Sequence, residues 1–141
     1  MSRATEIHGR DHSPNGADPI AATYEIKVAA DVDTVVTGDG QFIFAIPSDL
    51  NGTNLIDAQA YVTTVSSGAT ATIQIRNVTD AVDMLSTRIT IDPSEFTSYT
   101  AATSRVIDTT KDDVATSDRI AVDVDDAGTG AKGLGVILRF G

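Results

Sequence analysis

The chain contains no cysteine and no tryptophan. Without cysteine there is no disulfide framework and no thiolate metal site, and redox chemistry is silent about compartment. Glutamate is scarce, present only at Glu6, Glu25 and Glu95. Aspartate therefore carries nearly all of the acid, and its short side chain bonds readily to nearby backbone at turns and strand ends. Aromatics are limited to three tyrosines and four phenylalanines. Ten Lys and Arg against twenty Asp and Glu give a formal net charge of −10. So acidic a surface repels phosphate backbones, which argues against nucleic acid as a partner. No apolar run approaches the roughly 20 residues of a membrane span, so no membrane partner is expected. The opening MSRATEIHGR lacks the apolar stretch of a secretory signal.

What remains is rich in Val, Ile, Ala and Thr, a mixture that favours strands over helices. At 141 residues and 41% hydrophobic content, the chain suits one domain with its own core. Residues 1–23 show no sustained period. Pro14 and Pro19 each lack an amide donor and restrict the preceding residue, so this stretch reads as an extended N-terminal arm. From Tyr24 the pattern alternates. YEIKVA sets Tyr24, Ile26 and Val28 on one face, and QFIFAI sets Phe42, Phe44 and Ile46 together with Ile43 opposite. In NLIDAQAYVTT the expected inward set is Ile56, Ala58, Ala60 and Val62. TATIQIRNV, VDMLSTRITI, RIAVDVD and LGVILRF continue the pattern, with SRVIDT a shorter candidate. About eight short strands separated by Gly, Pro, Asn, Asp and Ser turns predict an all-β fold. The expected architecture is a single jelly-roll-like antiparallel β-sandwich over residues 24–141. Only DPSEFTSY, Asp92–Tyr99, carries a helix signal, with Asp92 as cap, Pro93 at the first position and Glu95 at the third, and it is expected to make one turn and then end.

Motifs with catalytic or metal-binding spacing are each outweighed by a plainer explanation. His8 and His12 are four apart, which on a helix would put both imidazoles on one face, with Asp11 as a third ligand. Gly9, Pro14 and the missing period argue against that helix, so no metal is expected there. GTGAKG, residues 128–133, matches G-x-G-x-x-G, but a strand pattern comes after it where a dinucleotide site needs a helix. It is expected to be a hairpin loop, and no cofactor is expected. The aspartate clusters fit no calcium-loop pattern; Asp123 and Asp125 are expected on the outward face of a strand, solvated. Carboxylate abundance makes a chance glycosidase-like pair easy, and no G-x-S-x-G elbow is present, so no enzyme is expected. Tyr61 and Tyr99 are the candidates for stacking against a glycan. NGT at Asn51 and NVT at Asn77 are expected to be turns.

The segment HGRDHSPNGADPI resembles one common in bacteriophage structural proteins, where a His-containing stretch runs into a Gly-Gly-Ala-Asp-Pro-Ile-like sequence. Here Asn15-Gly16 stands where a glycine pair is usual. GDGQFIFAIPSDLNG, DAQAYVTT, IQIRNVTDAVDMLSTRITID and DRIAVDVDDAGTGAKGLGVILRF are similar to a small β-domain of phage virion proteins. The resemblance implies a structural component on the exterior of a phage particle, either a head decoration or a tail part. It implies a homo-oligomer, with three-fold symmetry expected, whose other partners are capsid or tail proteins. On this basis the attachment arm comprises His8, Arg10, Asp11, His12, Pro14, Asn15, Asp18, Pro19 and Ile20. An arm unable to bury enough surface alone is expected to order on a neighbouring chain. The alternative function is a host-glycan-binding module.

Overall fold

A computed structural model describes residues 21–141. The expected attachment-arm residues, from His8 to Ile20, lie outside the described residues. The strands are β1 (Ala22–Lys27), β2 (Gly38–Ala45), β3 (Leu55–Tyr61), β4 (Ala71–Asn77), β5 (Val82–Asp83), β6 (Leu85–Thr87), β7 (Ile89–Ile91), β8 (Val106–Ile107), β9 (Arg119–Ala127) and β10 (Gly135–Phe140). They form an antiparallel β-sandwich. One sheet has the order β1-β10-β3, the other β2-β9-β4 with β5 and β7 sharing the far edge of β4, and β6 and β8 form a small ribbon. The winding is nested: β1 pairs with β10, and β2 with β9. This is the jelly-roll pattern expected from the turn spacing. Because β1 begins at Ala22, Ala22 and Thr23 belong to the body.

Register explains which side chains meet. Ile26, Val136 and Ala60 lie in one row across the first sheet, and Tyr24, Leu138 and Ala58 in the next. Small alanines on β3 beside large aliphatics on β10 leave room for the opposing sheet, which contributes Ile73, Ile75, Ile89, Ile91, Ile120, Val122 and Val124. Ile73, Ile75, Ile120, Leu138 and Phe140 are fully buried. Each such side chain stabilises by about 1.5–3 kcal/mol relative to exposure, far more than a surface ion pair does. Tyr24 meets Phe140 edge-on at 6.1 Å.

Three departures from strict alternation have local causes. At β3 the register jumps from Phe140↔Leu55 to Arg139↔Asp57, so Ile56 is an extra residue. Leu55 takes the inward place, fully buried, and Ile56 is exposed, which corrects the expected inward Ile56. The expected VDMLSTRITI strand is broken into β5, β6 and β7. Opposite Gln74 the chain leaves the edge of β4, and the Gln74 carboxamide takes over the pairing. Its oxygen accepts from Leu85 N at 3.2 Å and its nitrogen donates to Leu85 O at 3.0 Å. The helix signal at Asp92–Tyr99 yields only a turn. Glu95 N donates back to Asp92 O, Ser94 takes a positive φ of 67°, and a 3-10 turn comes next at Ser98–Thr100. The Asp92 carboxylate accepts instead from Ala102 N at 2.8 Å, closing a loop across the segment.

The outward face of the first sheet carries one close fit. Lys27, Gly135 and Tyr61 share a row, and a Cβ on Gly135 would collide with the Tyr61 ring. The ring therefore lies over bare backbone, with Lys27 Nζ 4.9 Å from its centroid. Gly135→Ala is expected to cost about 1–3 kcal/mol in urea unfolding by overpacking. Tyr61→Ala in the same chain should remove most of that cost; an additive loss in the double variant would contradict this packing.

Candidate interaction surface

The two lateral sides of the sandwich are finished differently. β3 lies against β7, so the sheets meet along that side. There the outer edge of β3 is sealed by loop backbone and side chains. Leu55 N donates to Asp112 O at 2.8 Å, Ala60 N to Ser98 Oγ at 2.9 Å, and Val62 N to Phe96 O at 2.8 Å. The Gln59 amide, with its nitrogen turned to Ser98 Oγ at 2.6 Å, presents its oxygen to Arg105 Nε at 3.1 Å and Nη2 at 3.2 Å. Arg105 also holds Asp57, with Nε donating at 2.9 Å. Over this seal stand Phe96, 57% exposed, and Tyr99, 63% exposed.

The opposite side is bounded by β1 and β2. Among the described residues, no backbone hydrogen bond reaches the outer edge of either strand. Tyr24, Phe42 and Phe44 point inward from these strands yet remain only half-buried, because no further strand among the described residues covers them. Unpaired amides above partly exposed aromatics form a template on which another chain can add.

β2 is held in shape by a buried charge. Between Gly38↔Val124 and Phe42↔Val122, β2 has more residues than β9, so it bulges. Gly40, at φ +62°, turns its amide onto Asp123 Oδ1 at 2.6 Å. Arg76 grips the same carboxylate from the other side, Nε at 2.6 Å and Nη2 at 3.0 Å. That hydrogen bond raises the Arg76 pKa above its ordinary value, against the opposing effect of burial. Asp123 is only 4% exposed, which corrects the expectation that it is solvated. Asp125 is the extra residue where β9 bulges against β4, and it pairs with Arg88 on the surface. Asp123 and Asp125 thus serve two separate arginines. Among the described residues, no group of three or more His, Cys, Asp or Glu is placed to hold a metal ion.

Tyr61 and Tyr99 sit near one another in the fold, since Thr97, two places before Tyr99, bridges to Tyr61. Their circumstances differ: the Tyr61 ring is occupied by Gly135 and Lys27, whereas Tyr99 projects. Asn77, in the NVT pattern, is fully buried. Its nitrogen donates to Asp118 Oδ2 at 2.9 Å and Asp80 Oδ2 at 3.1 Å, tying the β4 turn to the start of β9. Sequence reasoning misses this hub and the Arg105–Asp57 contact, because neither has a short-range signature. No buried side-chain nitrogen or oxygen among the described residues lacks a partner. Compared with known proteins, the chain matches no family model and no curated protein.

The sealing segment has a pH signature of its own. The Asp108 carboxyl is held below its ordinary range chiefly by the Thr110 hydroxyl, at 2.6 Å, and then by the Thr110 amide, at 3.0 Å. The stability it adds is present at neutral pH and is lost as pH falls through the lowered folded value. Asp112 is shifted the other way, raised mainly by burial. Its ionised form costs stability at neutral pH, and acidification relieves that cost. In thermal melts near neutral pH, Asp108→Asn should lower the melting temperature and Asp112→Asn should raise it. The Asp112 difference should vanish by about pH 3, where that raised carboxyl is protonated, whereas the Asp108 difference should fade only at lower pH, as its depressed carboxyl finally takes up a proton. Differences that stay constant with pH would rule this out.

Proposed function

We propose that the chain is a non-enzymatic structural subunit on the exterior of a bacteriophage particle. It forms an oligomeric knob, of head-decoration or tail type, attached by the N-terminal arm that precedes β1. The unequal finish of the two sides is the observation that carries this reading. One edge is closed by the protein's own loops, while among the described residues β1 and β2 keep bare edges over half-buried aromatics. A subunit that covers its open edge in an assembly explains the asymmetry, because an uncovered pair of edges invites uncontrolled pairing. The resemblance of HGRDHSPNGADPI and the succeeding blocks to phage virion proteins supports the same reading. So does the described interior, in which each buried polar side-chain atom is already partnered. The expected symmetry is three-fold, with neighbours among capsid or tail proteins. Virions grown with the chain lacking residues 1–20 should lose the protein, while the truncated subunit retains its oligomeric mass in solution. Normal incorporation of the truncated chain would dismiss the attachment role.

The projecting Tyr99, close to exposed Phe96, favours a second reading as a host-glycan-binding module. On a glycan array the full chain should then bind a discrete set of sugars, and Tyr99→Ala should abolish that binding. A blank array removes this alternative.

A further inference from the structure

We infer that Asn51–Gly52 is a site of spontaneous isoaspartate formation that the native fold holds shut. The chemistry needs no enzyme. The Gly52 amide nitrogen, on losing its proton to solvent base, attacks Asn51 Cγ. A carbon–nitrogen bond forms, the Cγ–Nδ2 bond breaks, and ammonia leaves. Water then opens the succinimide ring to aspartate, or to isoaspartate with the main chain routed through the side-chain carboxyl. Glycine in second place makes this step easy, since it carries no side chain to shield the nitrogen.

The described chain contains three asparagines, and each has a different C-terminal neighbour: Gly52 after Asn51, Leu55 after Asn54, Val78 after Asn77. Asn77 is also fully buried, with its nitrogen engaged by two aspartates. Asn51 is exposed at the end of the 3-10 turn Ser48–Leu50. The space beside Gly52 is open, because a Cβ there would meet nothing within 4 Å. Crowding therefore does not protect the site. Two hydrogen bonds do. Gly52 N donates to Val114 O at 2.9 Å, which occupies the attacking nitrogen. Asn51 Oδ1 accepts from Thr116 N at 2.9 Å, which fixes the carbonyl under attack. Val114 N donates to Thr53 O at 2.9 Å and completes the clip between the corner and the segment that seals β3.

Reaction thus requires opening of this clip, and its outcome feeds back on it. An aspartate product keeps an acceptor for Thr116 N. An isoaspartate product inserts one carbon into the main chain between residues 51 and 52. That insertion carries the Gly52 amide away from Val114 O and leaves the sealing segment loosened for good. Isoaspartate at 51 becomes a chemical record of how often this corner has opened.

The test is isoaspartate content at residue 51, read by peptide mapping after incubation of the full chain at mildly alkaline pH. The native chain should react at least about tenfold more slowly than the same chain in urea, the ratio reporting the cost of local opening. Thr116→Pro, which removes the amide donor, should accelerate the native reaction severalfold, and Thr116→Val, which keeps it, should not. Circular dichroism establishes that the proline variant is folded; if it is not, the comparison of native and urea-treated wild-type chain decides alone. Equal rates in the two conditions, absence of isoaspartate at 51 in urea, or a folded Thr116→Pro that reacts no faster would overturn the inference.

Discussion

The constraint on which the structure rests is the nested pairing of the two ends of the folded body. β1 lies along β10 and β2 along β9, so the middle strand of the first sheet and the second strand of the other both come from the last quarter of the chain. Everything else is set by that placement. β1 and β2, which precede all others, are pushed to the edges. β3 and β4, which come next, fall on the far side of the central strands, where the intervening loops can reach and cover them. The unequal finish of the two sides is a property of the winding order, and side chains then reinforce it.

Charge is used sparingly inside this frame. The hydrophobic rows supply the stability, and the buried polar groups mend places where the ladder fails. Gln74 replaces a missing stretch of edge pairing, Asp123 and Arg76 brace the bulge in β2, and Asn77 joins two turns through Asp118. In each case the side chain satisfies backbone or a neighbour that would otherwise be left without a partner in the interior, a deficit of about 1–3 kcal/mol. This explains how an acidic chain tolerates an aspartate as enclosed as Asp123.

Much of the fold is legible from residues alone. β1, β2, β4, β9 and β10 show clean alternation between turn residues, and that pattern suffices to predict an antiparallel sandwich. The features that escape do so for identifiable reasons. Period two cannot register an inserted residue, so alternation puts Ile56 on the wrong face. An outward position reads as solvated unless its cross-strand neighbour is known, and Arg76 is brought to Asp123 only by the register of β4 on β9. The Asp-Pro-x-Glu signal that starts helices also suits a turn, and between β7 and the β3 edge there is room only for a turn. The bare side of the sandwich is foreseeable only in general terms, because which edge stays uncovered depends on strand order.

The same winding has a consequence for how the protein is made. A ribosome delivers residues in order, and the first strands out are the ones that must wait longest for partners. Until Arg119–Ala127 and Gly135–Phe140 have left the exit tunnel, β1, β2 and β3 have no strand to pair with. Closure of the body is therefore a late event, with long loops to gather at that moment. Truncation near the C-terminus should therefore leave β1, β2 and β3 without the strands they pair with.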